Sequence, residues 1–221
     1  MGNRTRSVRY DPTSPPPLSG SSMREIRTIC VYCGSGNGTE PAFVEAAVAL
    51  GRALAETGIG LVYGGGNIGL MGTIAHSVLE HGGQVTGIIP QFLKSRERML
   101  DAVQETIIVP DMHTRKRLMF ERADAFVALP GGIGTLEELV EQMTWAQLGQ
   151  HRKPILLLST NGFWKPLLVL LAHMREQGFI RPGLELNYLV AERVEEIIPM
   201  LEASARRLGL DSNDELIEQR F

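Results

Sequence analysis

Ile59-Gly60-Leu61-Val62-Tyr63-Gly64-Gly65-Gly66-Asn67-Ile68-Gly69-Leu70-Met71-Gly72 is an apolar run, then a cluster of glycines, then the opening of a helical stretch. A continuous apolar run bounded by glycine reads as a strand covered on both faces, the habit of strands in parallel sheets. The same unit recurs on either side. Runs at 26–33, 85–90, 106–109, 125–129 and 155–158 read as further strands. Helical patterns fill the intervals. Pro41 suits a first helical turn, and Val44, Ala47, Val48, Gly51, Leu54 and Ala55 form one apolar stripe that Gly58 ends. Further helices are expected near 70–81, 113–122, 136–148, 164–177 and 194–208. Strand followed by helix, repeated, predicts an α/β fold: a doubly wound, Rossmann-like parallel sheet with helices on both faces, spanning 24–221 as one domain.

Composition narrows the function. The 221 residues hold 22 basic and 25 acidic side chains, a net charge of −3, so no broad nucleic-acid footprint is expected. The longest apolar stretch, 167–172, is far short of the ~20 residues that cross a bilayer, so no membrane partner is expected. The first residues lack the apolar core of a secretory signal, and a cytoplasmic location is expected. Residues 1–23 form a separate segment. Arg4, Arg6 and Arg9 precede a proline- and serine-rich stretch with little to bury, which reads as a disordered tail. The two cysteines, Cys30 and Cys33, mimic a redox pair. Both lie in a strand, however, and an odd offset sends their side chains to opposite faces, so they read as plain buried thiols.

Ligands of such sheets bind at the carboxyl ends of strands. Three of those ends carry glycine clusters: Cys33-Gly34-Ser35-Gly36-Asn37-Gly38, Tyr63-Gly64-Gly65-Gly66, and Leu129-Pro130-Gly131-Gly132-Ile133-Gly134-Thr135. Glycine lets backbone approach a ligand, and free amides at a helix start attract anions, so a phosphate-bearing ligand is expected. Gly64-x-Gly66-x-x-Gly69 fits the dinucleotide spacing. Where a ribose-binding acid should follow, though, the chain reads Ile88-Ile89-Pro90-Gln91. A Walker motif is missing, no Cys/His/Asp cluster has metal spacing, and no lysine sits in a pyridoxal-phosphate context. Neither a metal nor a cofactor is expected.

Two charged groups flank the third turn. Thr135-x-x-Glu138 fits a capping box, with Thr135 as N-cap and Glu138 reaching back to it. The same carboxylate, beside an anion site, could orient water or stabilise positive charge on a sugar. Arg115 and Lys116 lie at a helix start, where the dipole disfavours cations, and such cations want an anionic partner.

Met112-His113-Thr114-Arg115-Lys116, followed by Pro130-Gly131-Gly132-Ile133-Gly134-Thr135-Leu136-Glu137-Glu138 and by Thr144-Trp145-Ala146-Gln147-Leu148-Gly149, resembles the LOG ("Lonely guy") family over about residues 27–205. Its members are cytokinin riboside 5′-monophosphate phosphoribohydrolases, formerly labelled lysine decarboxylases. The resemblance implies hydrolysis of the N-glycosidic bond of an adenine-type 5′-monophosphate, AMP included, to free base and ribose 5-phosphate. It implies catalytic roles for Arg115 and Glu138, and a phosphate loop of Gly131, Gly132, Gly134 and Thr135. Substrate contacts are implied at Lys116, Glu97, Thr144 and Met112, completed by Ser35, Gly65 and Gly66. One departure is visible: Cys33-Gly34-Ser35-Gly36 replaces the family's Cys-Gly-Ser-Ser. The resemblance also implies a homodimer through the helix that carries Trp145. A carrier of the same fold, binding a nucleotide or cofactor without turnover, is the alternative; it needs the phosphate cradle but not both Arg115 and Glu138.

Overall fold

A computed structural model describes residues 6–9, 26–93, 105–181 and 183–218. One parallel sheet holds β1 (Arg6–Arg9), β2 (Thr28–Tyr32), β3 (Gly60–Tyr63), β4 (Val85–Pro90), β5 (Glu105–Val109), β6 (Ala125–Ala128), β7 (Ile155–Leu158) and β8 (Leu189–Ala191). Its order is β1-β5-β4-β3-β2-β6-β7-β8. The helices are α1 (Pro41–Glu56), α2 (Gly69–Glu80), α3 (Met112–Arg122), α4 (Ile133–Gln147), α5 (Lys165–Glu176) and α6 (Ile197–Glu218). All the strands and helices expected from the sequence are present, with ends shifted by a few residues. The short strand β8 was not expected; three residues offer too little pattern to read.

Arg6–Arg9 lie inside the segment that composition assigns to a tail. There the backbone runs parallel to β5, Arg6 opposite Glu105 and Arg9 opposite Ile108. An edge strand needs only backbone groups to pair, so composition carries no sign of it. The remainder of 1–23 lies outside the described residues.

The chain winds outward from β2 through β3 and β4 to β5, then returns to place β6 on the other side of β2. The reversal therefore falls between β2 and β6, where doubly wound sheets open a crevice. Pairing of Ile29 with Ala125 and of Tyr32 with Ala128 brings the ends of both strands level. The first and third glycine turns thus leave the sheet side by side.

Each face of the sheet has its own core. Leu50 and Leu54 of α1, Ile74 and Val78 of α2 and Leu201 of α6 bury one face together with Cys33. Leu118 and Met119 of α3, Leu139 and Met143 of α4 and Trp164 bury the other together with Cys30. The two thiols are free, buried and on opposite faces, as the strand alternation requires. Burying each such aliphatic side chain contributes about 1.5–3 kcal/mol. Among the described residues no helix is long and apolar enough to cross a membrane.

Candidate active site

The glycine turns are bonded to one another. The Gly34 amide donates to the Pro130 carbonyl at 3.1 Å, which ties the first turn to the third. The Met71 amide donates to the Gly34 carbonyl at 3.3 Å and the Leu70 amide to the Gly36 carbonyl at 3.4 Å, which ties the second turn to the first. A side chain at Gly131 would overlap Thr135 Oγ1 and lie 2.9 Å from the Gly34 nitrogen, so only glycine lets these backbones meet.

This bonding separates the two helix starts. Leu70 and Met71 in the first turn of α2 spend their amides on the first loop. At α4 no side chain caps the helix, and Leu136 is the first residue whose amide returns to it, at 3.0 Å from the Gly132 carbonyl. The amides of Ile133, Gly134 and Thr135 are the leftover donors of a helix N-terminus, where the dipole favours an anion. A Cβ at Gly132 or Gly134 would meet nothing within 4 Å, so neither residue is needed for internal packing.

The expected capping box is not formed. Gly132, in extended conformation, is the N-cap, and α4 already begins at Ile133. Thr135 is therefore three residues into the helix and buried, and Glu138 stands in the second turn. A glycine cap leaves no side-chain signature, so Thr135-x-x-Glu138 mimics one. Glu138 instead faces α3: its Oε1 lies 3.5 Å from Arg115 Nη1, with 12% and 9% of the two side chains exposed.

Asp111 starts α3, accepting from the Thr114 amide at 2.8 Å. Arg115 follows one turn in, on the buried side. Its Nε donates to the Ile88 carbonyl of β4 at 3.2 Å, and its Nη1 lies 3.8 Å from Met112 Sδ. Lys116 Nζ is held by Glu137 at 2.7 Å and Glu141 at 2.9 Å. Both cations at this helix start thus have the anionic partners that their position demands.

Burial drives the Glu138 carboxyl above the usual glutamate range, and the Arg115 guanidinium only partly offsets this. Glu137 and Glu141 push the same way as burial, while Lys116 opposes it. Burial lowers the pKa of Lys116, but its hydrogen bonds to Glu137 and Glu141 outweigh that and hold it above its ordinary value. Burial, reinforced by Glu138, also raises the Cys33 and Cys30 thiols, which keeps them protonated and inert.

The remaining expected positions are distributed around this pair. Ser35 is exposed at the rim, its backbone against Gly69 of the second turn. Gly65 and Gly66 are buried, with Gly65 at φ 82° against Ile89, and so form the floor rather than the open surface. Thr144 is exposed on α4 and donates to the Val140 carbonyl of its own helix at 2.7 Å. Trp145 packs edge-on against Phe120, ring centroids 5.3 Å apart. Glu97 lies outside the described residues. Gly64, Met71 and the Ile88 carbonyl also surround Arg115 and were not among the expected site residues; Gly64 and Met71 belong to the second glycine turn, but nothing in that motif points to an arginine on α3. Among the described residues no three His, Cys, Asp or Glu gather as a metal site.

Comparison with known proteins fits this geometry. Residues 71–201 match a family model described as possible lysine decarboxylase. The cytokinin riboside 5′-monophosphate phosphoribohydrolase LOG7 of Arabidopsis thaliana is 47% identical over 177 residues, covering 80% of this chain and 82% of that one. The chain belongs to the LOG family. A second LOG-family relative, the phosphoribohydrolase LOG of Oryza sativa subsp. japonica, is 47% identical over 183 residues, covering 83% of this chain and 76% of its own. Among solved structures, the molybdenum cofactor binding protein of Rippkaea orientalis shares the fold at a TM-score of 0.61 and 25% identity, over 82% of this chain and 98% of that one.

Proposed function

We propose that this LOG-family chain hydrolyses the N-glycosidic bond of a cytokinin riboside 5′-monophosphate, releasing the free base and ribose 5-phosphate. The reading is carried by the Arg115–Glu138 pair, which is nearly buried beside the uncapped start of α4. The 5′-phosphate sits on the amides of Ile133, Gly134 and Thr135. The C1′–N bond then breaks with its electron pair going to the base, leaving an oxocarbenium-like sugar. The Glu138 carboxylate faces that cation and accepts a proton from the water whose oxygen adds to C1′. Arg115 offsets the negative charge developing on the leaving base, which takes up a proton from solvent as it departs, while Glu138 releases to solvent the proton it accepted. Lys116, clasped by Glu137 and Glu141, fixes α3 against α4 and with them the two reacting groups. AMP is a second substrate of the same site, differing only at the exocyclic nitrogen.

Ile133, which opens α4, and Leu148, which caps its C-terminus, are 82% and 65% exposed, and Val140 stands between them on the helix. We assign this apolar face to a second copy of the chain, which makes a homodimer. Two free thiols accord with a cytoplasmic location.

The likeness to a molybdenum cofactor binding protein favours one competing reading, a carrier that binds without turnover. A carrier requires the amides of α4 but gives no reason to bury an acid against a guanidinium. The test is to incubate the protein with isopentenyladenosine monophosphate and with AMP and to look for free base by chromatography. Release of base supports the hydrolase; binding with no base released from either nucleotide supports the carrier.

A further inference from the structure

We propose that Gly64 is a positioning residue, and that the side chain it lacks at the end of β3 is what seats the Arg115 guanidinium. A Cβ built there would overlap Arg115 Nη2, lie 3.2 Å from its Cζ and 3.3 Å from Met71 Sδ. Backbone conformation does not demand glycine at this position, since Gly64 is not among the residues with positive φ. Its neighbour Gly65, at φ 82°, is, so two adjacent glycines answer to different causes.

The rest of the seat fixes the guanidinium from other directions. Nε is held by the Ile88 carbonyl at 3.2 Å, and Nη1 lies 3.5 Å from Glu138 and 3.8 Å from Met112 Sδ. The guanidinium is one rigid plane, so displacing Nη2 by rotation about Cδ–Nε carries Nη1 with it and leaves Nε in place. A single methyl group at Gly64 therefore moves Nη1 off Glu138 even where Nε keeps its contact with the β4 backbone. Gly64 touches neither reacting atom; it acts through Arg115.

The test is a double-mutant cycle of Gly64→Ala and Arg115→Ala, with Gly65→Ala for comparison. Its activity arm rests on the proposed hydrolysis; its melting and titration arms do not. Gly64→Ala is expected to cut base release by about 10²–10³-fold, the usual loss for one electrostatic group of a site. In the Arg115→Ala background it should change release by less than about two-fold, because the clash is then gone. Gly64→Ala should lower Tm clearly more in the parent than in Arg115→Ala, where only the 3.3 Å approach to Met71 Sδ remains, whereas Gly65→Ala should lower it equally in both. The Glu138 carboxyl, followed by NMR, should titrate at a higher pH in Gly64→Ala, as it should in Arg115→Ala. Equal Tm losses for Gly64→Ala in both backgrounds, or an unmoved Glu138 titration, overturns the proposal. If the parent releases no base, the proposed reaction fails, while melting and titration still decide the seat. If Gly64→Ala alone does not fold, the double variant decides: recovery of folding supports the seat, and failure in both overturns it.

Discussion

Glu138→Gln exchanges one carboxylate oxygen for an amide and keeps the side-chain volume. The pair it alters is close: at 3.5 Å, with an effective dielectric constant of ~20, two unit charges attract by about 5 kcal/mol. That attraction does not set the sign of the stability change. The carboxyl stands above its ordinary value of 4.5, burial being the largest cause, so removing its charge from water costs more than Arg115 returns. A group whose pKa is raised in the fold contributes stability that is full below pH 4.5 and lost as pH rises through the raised value. Glutamine resembles the protonated form and does not titrate. The variant should therefore melt at or above the parent at pH 8, and the difference should shrink toward pH 5. Base release should meanwhile fall by about 10²–10³-fold, equivalent to about 3–4 kcal/mol of transition-state stabilisation. Chromatographic base release and melting curves at the two pH values read both quantities. Release within about threefold of the parent, far short of such a loss, would refute the chemical role. A Tm well below the parent at pH 8 would refute the electrostatic account.

Arg115→Ala should lower base release by a similar ~10²–10³-fold, and urea titration should show a destabilisation that grows from pH 5 to pH 8 as Glu138 ionises without its partner. Gly131→Ala should push the third turn off the first, because its Cβ overlaps Thr135 Oγ1; a raised KM for the monophosphate together with a lowered Tm would check this. Lys116→Met should cost about 1–2 kcal/mol by losing two charged hydrogen bonds, one of them to the largely exposed Glu137, as read by denaturant unfolding. If the proposed homodimer forms through α4, Ile133→Glu should leave only monomer in analytical ultracentrifugation, where the parent sediments as a dimer.

The parallel sheet was legible because its strands are buried on both faces and so write continuous apolar runs. β8 and the paired Arg6–Arg9 were not, since three or four residues held mainly by backbone pairing leave little pattern. The charge logic at α3 was readable: a cation at a helix start signals a missing anion, and Glu138, Glu137 and Glu141 supply it. The start of α4 misled, because a glycine N-cap has no signature while Thr135-x-x-Glu138 imitates one. Gly64 was hidden for another reason: the group that requires it lies on α3, and only the fold brings α3 against the end of β3.

The amides of Leu70 and Met71, already engaged by the carbonyls of Gly36 and Gly34, set the valence of the crevice. Two helices open onto it, yet only α4 keeps its first-turn donors in hand. A pyrophosphate wants two seats, and the start of α2 has already spent two of its amides, so the Gly64-x-Gly66-x-x-Gly69 spacing, for all its likeness to a dinucleotide fingerprint, suits the proposed single phosphate at α4 better.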